Sequence, residues 1–173
     1  VNISGSNTFS GGLANLIGNY ICTNNTVTVS GSAANFDGTG LVSPTLVNLS
    51  NGALGGSNLV TVGNTMNWTG GTMSGSGRTI ISPGATLSIA NPGGSAISTR
   101  TLENAGTVLW TSTGGGITMN GGVITNRAGA LFHVQNAASL AINSGSPRFD
   151  NAGTFRKSVS SGTATFSVNF NNF

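Results

Sequence analysis

Three acidic residues are the first candidates for chemistry in this chain, because only Asp37, Glu103 and Asp150 could supply a carboxylate. A polysaccharide-cleaving site needs two carboxyl groups that face each other across a glycosidic bond. Glu103 and Asp150 occupy the same position of an internal repeat, two copies apart, which would hold their backbones about 10 Å apart. Arg100 and Arg148 stand just before them, so we expect solvated ion pairs rather than catalysis.

The single histidine and the single cysteine are the next candidates. A Ser-His-Asp arrangement would have to be built around His133, but no carboxylate repeats beside it, so we expect a structural histidine at a strand edge. One histidine, Cys22 and three scattered acids cannot supply a metal cluster. The glycine-rich stretch 70–77 is not followed by the helix or the Lys-Ser/Thr pair of a phosphate loop. The sequence therefore predicts no catalytic residue, no metal site and no cofactor.

Arginine and tryptophan side chains offer candidate binding surfaces. Arg78 and Arg100 fall in one column of the repeat, and Arg148 lies one residue off it. Together they could form a sparse basic ridge that contacts acidic surface polysaccharide, or they could simply keep the molecule soluble and protect its edges. Trp68 and Trp110 could stack on sugar rings, or they could fill the core.

Four Asn-X-Ser/Thr sequons are candidate glycosylation sites, although such matches arise easily in a chain rich in asparagine and threonine. They begin at Asn2, Asn24, Asn48 and Asn67.

The composition favours a chain built of β-strands. Of 173 residues, 28 are glycine, 37% are hydrophobic and only 5% are charged, and the mean hydropathy is +0.14. Glycine and clusters of Ser, Asn and Thr recur too often for helices. Only Arg156 and Lys157 are adjacent cations, which is too little for nucleic-acid binding, and no apolar run of about 18 residues exists, so we expect no membrane span.

An internal repeat of about 22 residues indicates a β-solenoid, with one coil per repeat. Its corners carry one column of glycines, which would supply a positive φ, and one column of asparagines, which could form an amide ladder from coil to coil. These columns are Gly84, Gly106, Gly129 and Gly153, and Asn104, Asn126, Asn151 and Asn172.

The strand after each glycine should contribute one inward-facing stack, with Val108, Leu131 and Phe155 in register. Counting onward by twos places Lys157 inward beside the column of Trp110 and His133. Because a buried lysine is unfavourable, we expect that strand to end or bend before Lys157.

Several repeat segments resemble those of a known group of proteins. The runs WTGGTMSGSG at 68–77, NAGTV at 104–108 and NAGTF at 151–155, together with FRKS at 155–158, are similar to repeats of large secreted bacterial surface proteins that have a pectin-lyase-like parallel β-helix. The resemblance covers about residues 59–173. It implies the fold and an extracellular setting, whereas the acid-rich grooves of the related enzymes have no counterpart here.

We therefore predict an all-β chain that folds as a right-handed parallel β-helix, a β-solenoid of roughly eight coils. Each coil should take about 21 to about 25 residues, the period expected of one solenoid repeat. Residues 1–173 should form one domain, with less regular coils over 1–58 and regular repeats over 59–173. Residue 1 is valine rather than methionine, so we expect a processed protein or a fragment whose signal peptide has been removed.

The predicted function is an extracellular structural or adhesive module, secreted or held at a bacterial cell surface. Its partners would be other copies or the rest of a longer solenoid, in a giant adhesin, a biofilm matrix or a head-to-tail filament. Two alternatives remain: a carbohydrate-active β-helix, and an ice-binding solenoid, which would need Thr-X-Thr on successive coils. The candidate assembly edges are Val1, Ile3, Phe170 and Phe173.

Overall fold

The computed structural model describes residues 2–173, so Val1, one of the candidate assembly edges, lies outside the described residues. Within that range the chain forms short β-strands and no helix. The strands of the first four coils are β1 (Asn2–Ile3), β2 (Asn7–Phe9), β3 (Leu13–Leu16), β4 (Ile21–Thr23), β5 (Thr26–Val29), β6 (Ala33–Phe36), β7 (Val42–Ser43), β8 (Leu46–Leu49), β9 (Ala53–Gly55), β10 (Leu59–Val62), β11 (Thr65–Trp68) and β12 (Thr72–Ser74).

The later coils contain longer strands on average. They are β13 (Arg78–Ile81), β14 (Thr86–Ile89), β15 (Ser95–Ser98), β16 (Thr101–Asn104), β17 (Thr107–Trp110), β18 (Ile117–Asn120), β19 (Val123–Asn126), β20 (Leu131–Val134), β21 (Leu140–Ser144), β22 (Arg148–Asn151), β23 (Thr154–Lys157) and β24 (Asn169–Asn172).

From β1 to β23 every third strand belongs to the same sheet, and β24 then pairs with β22, which defines a three-sided solenoid. Sheet I has nine strands from β1 to β24, sheet II has eight from β2 to β23, and sheet III has seven from β3 to β21. Neighbouring strands in each sheet are parallel, for example β13 with β16 and β17 with β20. The chain is therefore a parallel β-solenoid of about 8 turns with roughly 21 residues per coil, which confirms the predicted fold class.

The amino-terminal coils are short, but they pair in regular register. Asn15 pairs with Asn35, which lies 20 residues further along the chain, and Val42 pairs with Val60 across a still shorter interval. Later coils are longer, and Asn126 pairs with Asn151 at a separation of 25 residues. The predicted coil length thus describes the later coils, whereas the first coils fall just below it because several of their strands are shorter and the connections from sheet II to sheet III take fewer residues.

The core consists of columns of apolar side chains that alternate with outward-facing polar ones, as strand geometry requires. Val108 pairs with Phe132, which pairs with Phe155, and the first two are fully buried. Leu131, predicted for this stack, pairs instead with Thr107 and faces outward. The prediction was wrong by one position because Ala130 adds a residue between the corner glycine and strand β20.

Lys157 remains within its strand, contrary to the prediction that β23 would end before it. It continues the inward column below Val134, and that residue, rather than His133, lies beneath Trp110. Its ammonium donates a hydrogen bond of 2.6 Å to the carbonyl oxygen of Ser160. This contact gives the ammonium a hydrogen-bond acceptor at the last strand of sheet II, where the side chain is only partly buried.

Apolar groups close both ends of the described rod. At the carboxyl-terminal end, Phe170 stacks on Phe149 with ring centroids 5.0 Å apart and is 39% exposed, whereas Phe173 is 82% exposed. At the other end, Ile3 and Phe9 are only partly buried against the core. Three of the four candidate assembly edges are thus placed on the ends of the rod.

Candidate functional site

The four corner glycines belong to two kinds of corner. Gly84 and Gly129 have φ values of 80° and 81°, and a Cβ at either would meet open space. Gly106 and Gly153 do not have positive φ, but a Cβ at Gly106 would overlap the carbonyl oxygens of the corner above it. The expectation of a positive φ therefore holds for only two of the four. Four-residue corners at 82–85 and 127–130 alternate with two-residue corners at 105–106 and 152–153.

The four asparagines of the repeat form a hydrogen-bonded ladder inside sheet I. Asn104 donates to the side-chain oxygen of Asn126 at 2.8 Å, Asn126 donates to Asn151 at 2.8 Å, and Asn151 donates to Asn172 at 2.6 Å. Each of the first three is buried. The ladder begins at Asn104 because the residue above it in the column is Ile81.

Arg100 does not contribute to a basic ridge, because its side chain is fully buried. It donates to the Thr79 hydroxyl at 2.7 Å and to four backbone carbonyl oxygens. Burial lowers the pKa of Arg100 to about 10, so the guanidinium stays charged at neutral pH. The carbonyl acceptors belong to Gly56, Asn58, Ser74 and Arg78.

Glu103 and Asp150 lie in the same outward column of sheet I, separated by Thr125. Each is ion-paired, but the partners of Glu103 differ from those predicted. Glu103 contacts Arg78 at 3.0 Å and also Arg127, whereas Arg100 faces the interior. Asp150 pairs with Arg148 at 2.7 Å, as predicted.

The two tryptophans fill the core rather than a sugar-binding surface, since both are fully buried in one column of sheet II. The indole N–H of Trp68 donates to the carbonyl oxygen of Gly71 at 3.3 Å. The indole N–H of Trp110 has no hydrogen-bond acceptor among residues 2–173.

The Thr-X-Thr pattern required for ice binding is not repeated from coil to coil, although one column of sheet II carries three threonines. Thr65, Thr86 and Thr107 stack on consecutive coils of sheet II. The residues two positions further on are Asn67, Ser88 and Leu109, so Thr-X-Thr does not recur.

The sequon asparagines occupy different surroundings. Asn2 and Asn24 are exposed, and Asn24 has a φ of 56°. Asn67 donates to Asn48 at 2.9 Å on the outer face of sheet II, so these two side chains are engaged with each other.

A polar cluster at the carboxyl-terminal end of sheet II brings the lone histidine next to a serine. His133 Nε2 lies 2.6 Å from the hydroxyl of Ser158, and its Nδ1 lies 3.0 Å from the amide nitrogen of Gln135. The sequence did not predict this pairing, because Ser158 belongs to a connection outside the repeat.

Both ring nitrogens of His133 have a hydrogen-bonding neighbour, the Ser158 hydroxyl at Nε2 and the Gln135 side-chain amide at Nδ1, so the ring is held in one orientation. No carboxylate contacts the ring, so the Ser-His-Asp arrangement of a nucleophilic triad is not formed among the described residues. Burial, and after it the positive charge of Arg156, lowers the pKa of His133, which favours the neutral ring.

Two adjacent cations and a strained turn complete this cluster. Arg156 pairs with His133 across the strands and is exposed, and Lys157 follows it. Val159 has a φ of 77°, and the Ser160 N–H donates to the carbonyl oxygen of Ser158 at 3.0 Å, which closes a γ-turn. A β-branched residue in this conformation is strained, and such strain is concentrated at functional sites.

A cleft of about 370 Å³ opens beside the cluster, at the corner between sheets II and III. We call it the corner cleft. It is lined by Thr111, Ser112, Thr113, Gly114, Gln135, Asn136, Ala137, Ala138 and Ser160. The lining is uncharged, and its side chains carry hydroxyl and amide groups.

The fold and these contacts define the class of the protein, a parallel β-solenoid. No protein-family model, no curated protein and no solved structure matches the chain. The described residues contain neither a group of three metal-ligating side chains nor a helix that could cross a lipid bilayer.

Proposed function

We propose that this chain is an extracellular structural or adhesive β-solenoid module at a bacterial surface. The observation that carries the proposal is the continuity of the three sheets. Each strand that lies between the two edge strands of its sheet pairs with a neighbouring strand on both sides. Such a ladder makes a stiff rod, because each coil is held by its neighbours along three sides.

The outer faces of the rod support a structural role. Sheet III presents short uncharged side chains on successive strands, such as Ala53, Thr72 and Ala96. Their small size gives a flat surface along the rod. The extracellular setting is supported by the resemblance of residues 59–173 to repeats of secreted surface proteins and by the scarcity of charge, at 5% of residues.

Immunogold labelling of intact cells of the organism that encodes the chain tests the location. Antibodies against residues 59–173 should label the outside of unpermeabilised cells, and a gene-deletion strain gives the background. Label that appears only after permeabilisation would refute the surface role.

A second experiment separates a head-to-tail filament from a segment of a longer chain. We expect the filament version to give sedimenting polymers of residues 1–173. Phe170→Lys, at the apolar end, should abolish them. Asn171→Lys, which changes the next side chain on the opposite face of β24, should not. Persistent monomers at high concentration would exclude the filament and leave the longer solenoid.

A further inference from the structure

Asparagine is followed directly by glycine at two places in the chain, at Asn51 with Gly52 and at Asn120 with Gly121. Such a pair can react internally, because the glycine nitrogen can attack the asparagine carboxamide and close a five-membered ring. Glycine permits this attack, since it has no Cβ that would crowd its nitrogen. The two glycines have similar φ values of 75° and 68°. The two pairs therefore share their chemistry and differ in their surroundings.

The peptide group between Asn51 and Gly52 is not held by the neighbouring coils. Among residues 2–173, the Gly52 N–H has one acceptor, the side-chain oxygen of Asn51 itself, at 2.9 Å. No donor in that range reaches the Asn51 carbonyl oxygen, so rotation of this peptide group breaks no hydrogen bond between coils. The Asn51 side chain is exposed. The attacking nitrogen thus lies next to the carboxamide, and this proximity favours ring closure.

The peptide group between Asn120 and Gly121 is held on both sides. The Asn120 carbonyl oxygen accepts a hydrogen bond of 2.9 Å from the Thr99 N–H. The Gly121 N–H donates to the carbonyl oxygen of Ser144, also at 2.9 Å. The Asn120 side-chain oxygen accepts from the side-chain amide of Asn143 at 2.6 Å. Attack at this pair must first break these hydrogen bonds, so the solenoid protects it.

We propose that Asn51 is a site of spontaneous deamidation in the folded protein, that Asn120 is protected, and that one product at position 51 loosens the rod. The Gly52 nitrogen forms a bond to Cγ of Asn51 while the Cγ–Nδ2 bond breaks, and ammonia leaves with the proton of the Gly52 nitrogen. Water then opens the resulting succinimide. Opening at the side-chain carbonyl gives aspartate, whereas opening at the main-chain carbonyl gives isoaspartate, which adds a methylene group to the backbone.

The corner that contains Asn51 has no room for a longer backbone. This corner is 50–52, and it lies between the corners 30–32 and 69–71 of the adjacent coils. A Cβ at Gly52 would already overlap the carbonyl oxygen of Ser32. Isoaspartate should therefore displace the corner from its neighbours and weaken the pairing there, because packed groups resist even small additions. Aspartate keeps the backbone length and should be tolerated.

The reaction needs only water, so it does not rest on the surface role proposed above. An extracellular module is nevertheless beyond the turnover that replaces proteins inside the cell, and modified copies should accumulate with age. The site and its rate can be measured on the isolated chain.

Peptide mapping by mass spectrometry of the full chain tests the proposal. Folded protein and protein unfolded in denaturant are incubated side by side in a mildly alkaline buffer. In the folded protein, Asn51 should convert about tenfold faster than Asn120 or more, because hydrogen bonds must break only at Asn120. In the unfolded chain the two rates should be similar. Equal rates in the folded protein, no conversion at Asn51 there, or the same preference in the unfolded chain would overturn the proposal.

Two matched variants check the assignment. Asn51→Gln lengthens the carboxamide by a methylene group, which disfavours ring closure, and should remove most of the ammonia released by the folded protein. Asn120→Gln makes the same change at the protected pair and should leave that release unchanged. Circular dichroism confirms that each variant folds. A large loss of ammonia release in Asn120→Gln would contradict the protection of this pair.

The effect of the modification on stability is measured on separated forms. Ion-exchange chromatography separates modified from unmodified protein, and fragment ions distinguish isoaspartate from aspartate. The isoaspartate form should melt at a lower temperature than the unmodified protein, whereas the variant Asn51→Asp should melt close to it. Equal melting temperatures for the isoaspartate form and the unmodified protein would refute the loosening of the rod.

Discussion

The guanidinium of Arg100 donates a hydrogen bond of 3.1 Å to the carbonyl oxygen of Gly56, although 44 residues separate them in the chain. The same side chain reaches the carbonyl oxygens of Asn58, Ser74 and Arg78. One buried cation thus joins three successive coils at the corner between sheets III and I, where the backbone turns and its carbonyl groups leave the ladder.

Replacing Arg100 should destabilise the rod strongly. In Arg100→Met the four carbonyl oxygens lose a buried donor, and we expect a loss of about 3 kcal/mol or more in the free energy of unfolding. Arg100→Lys should not restore it, because an ammonium has no fork of five donors. Denaturant unfolding measures the loss, and Arg148→Met, at an exposed ion pair, should stay within about 1 kcal/mol. Equal losses in the two would contradict this role.

An interior rung of the asparagine ladder should matter more than its last one. Asn126→Ala removes the acceptor of Asn104 and the donor to Asn151 in a buried site, so we predict a loss of about 2 kcal/mol in unfolding free energy. Asn172→Ala removes one contact at an exposed position and should cost well under about 1 kcal/mol. Thermal unfolding of both variants makes the comparison, and similar melting temperatures would be inconsistent with a ladder that stabilises by burial.

The two kinds of corner predict opposite tolerance to the same substitution. Gly84→Asn should cost about 1 kcal/mol or less, because asparagine accepts a positive φ and the space around it is open. Gly106→Asn should cost about 3 kcal/mol, since its Cβ would overlap the carbonyl oxygens of Ser82 and Ala85. Denaturant titration of the pair decides, and the reverse order would mean that the corners have been wrongly distinguished.

Stability should depend on pH through the lone histidine. Its pKa is lowered in the folded chain, so below about pH 6.5 the unfolded chain binds more protons than the folded one. The free energy of unfolding should therefore fall as pH is lowered from 8 to 5.5. In His133→Gln this dependence should flatten, and in Arg156→Gln it should weaken, because the second cause of the shift is gone. An unchanged slope in His133→Gln would show that other groups are responsible.

The periodicity of the sequence predicted the solenoid because each coil repeats the same alternation of buried and exposed positions. It did not separate the two corner types, since glycine stands at corresponding places in both for different reasons. At Gly84 the reason is backbone conformation, whereas at Gly106 it is the close approach of the neighbouring coil.

The spacing between each arginine and the following acid in the sequence could have predicted which of them form an ion pair. Arg148 and Asp150 differ by two positions, lie on one face of a strand and pair. Arg100 and Glu103 differ by three positions, so their side chains do not share a face. Arg100 is buried inside the rod, whereas Glu103 lies on the outer face of sheet I, where Arg78 and Arg127 cover it. The contact of His133 with Ser158 carried no such signal, because the connection that follows β23 is longer than those of the earlier coils before Phe166 returns to pair with Leu140.

The alternation of corners over 82–153 sets the step by which this part of the solenoid can lengthen. Each four-residue corner there nests against a two-residue corner, whose glycine leaves room for the carbonyl oxygens of its neighbour. Duplicating a coil with a four-residue corner would place two such corners side by side, an arrangement that occurs nowhere in residues 2–173. Duplicating two coils preserves the fit, and the sequence repeats at that interval, since Asn-Ala-Gly-Thr occurs at 104–107 and again at 151–154. Two-residue corners do stand side by side at 24–25, 44–45 and 63–64, so a single coil of that kind can also be added, whereas a coil with a four-residue corner can be added only together with one that has a two-residue corner.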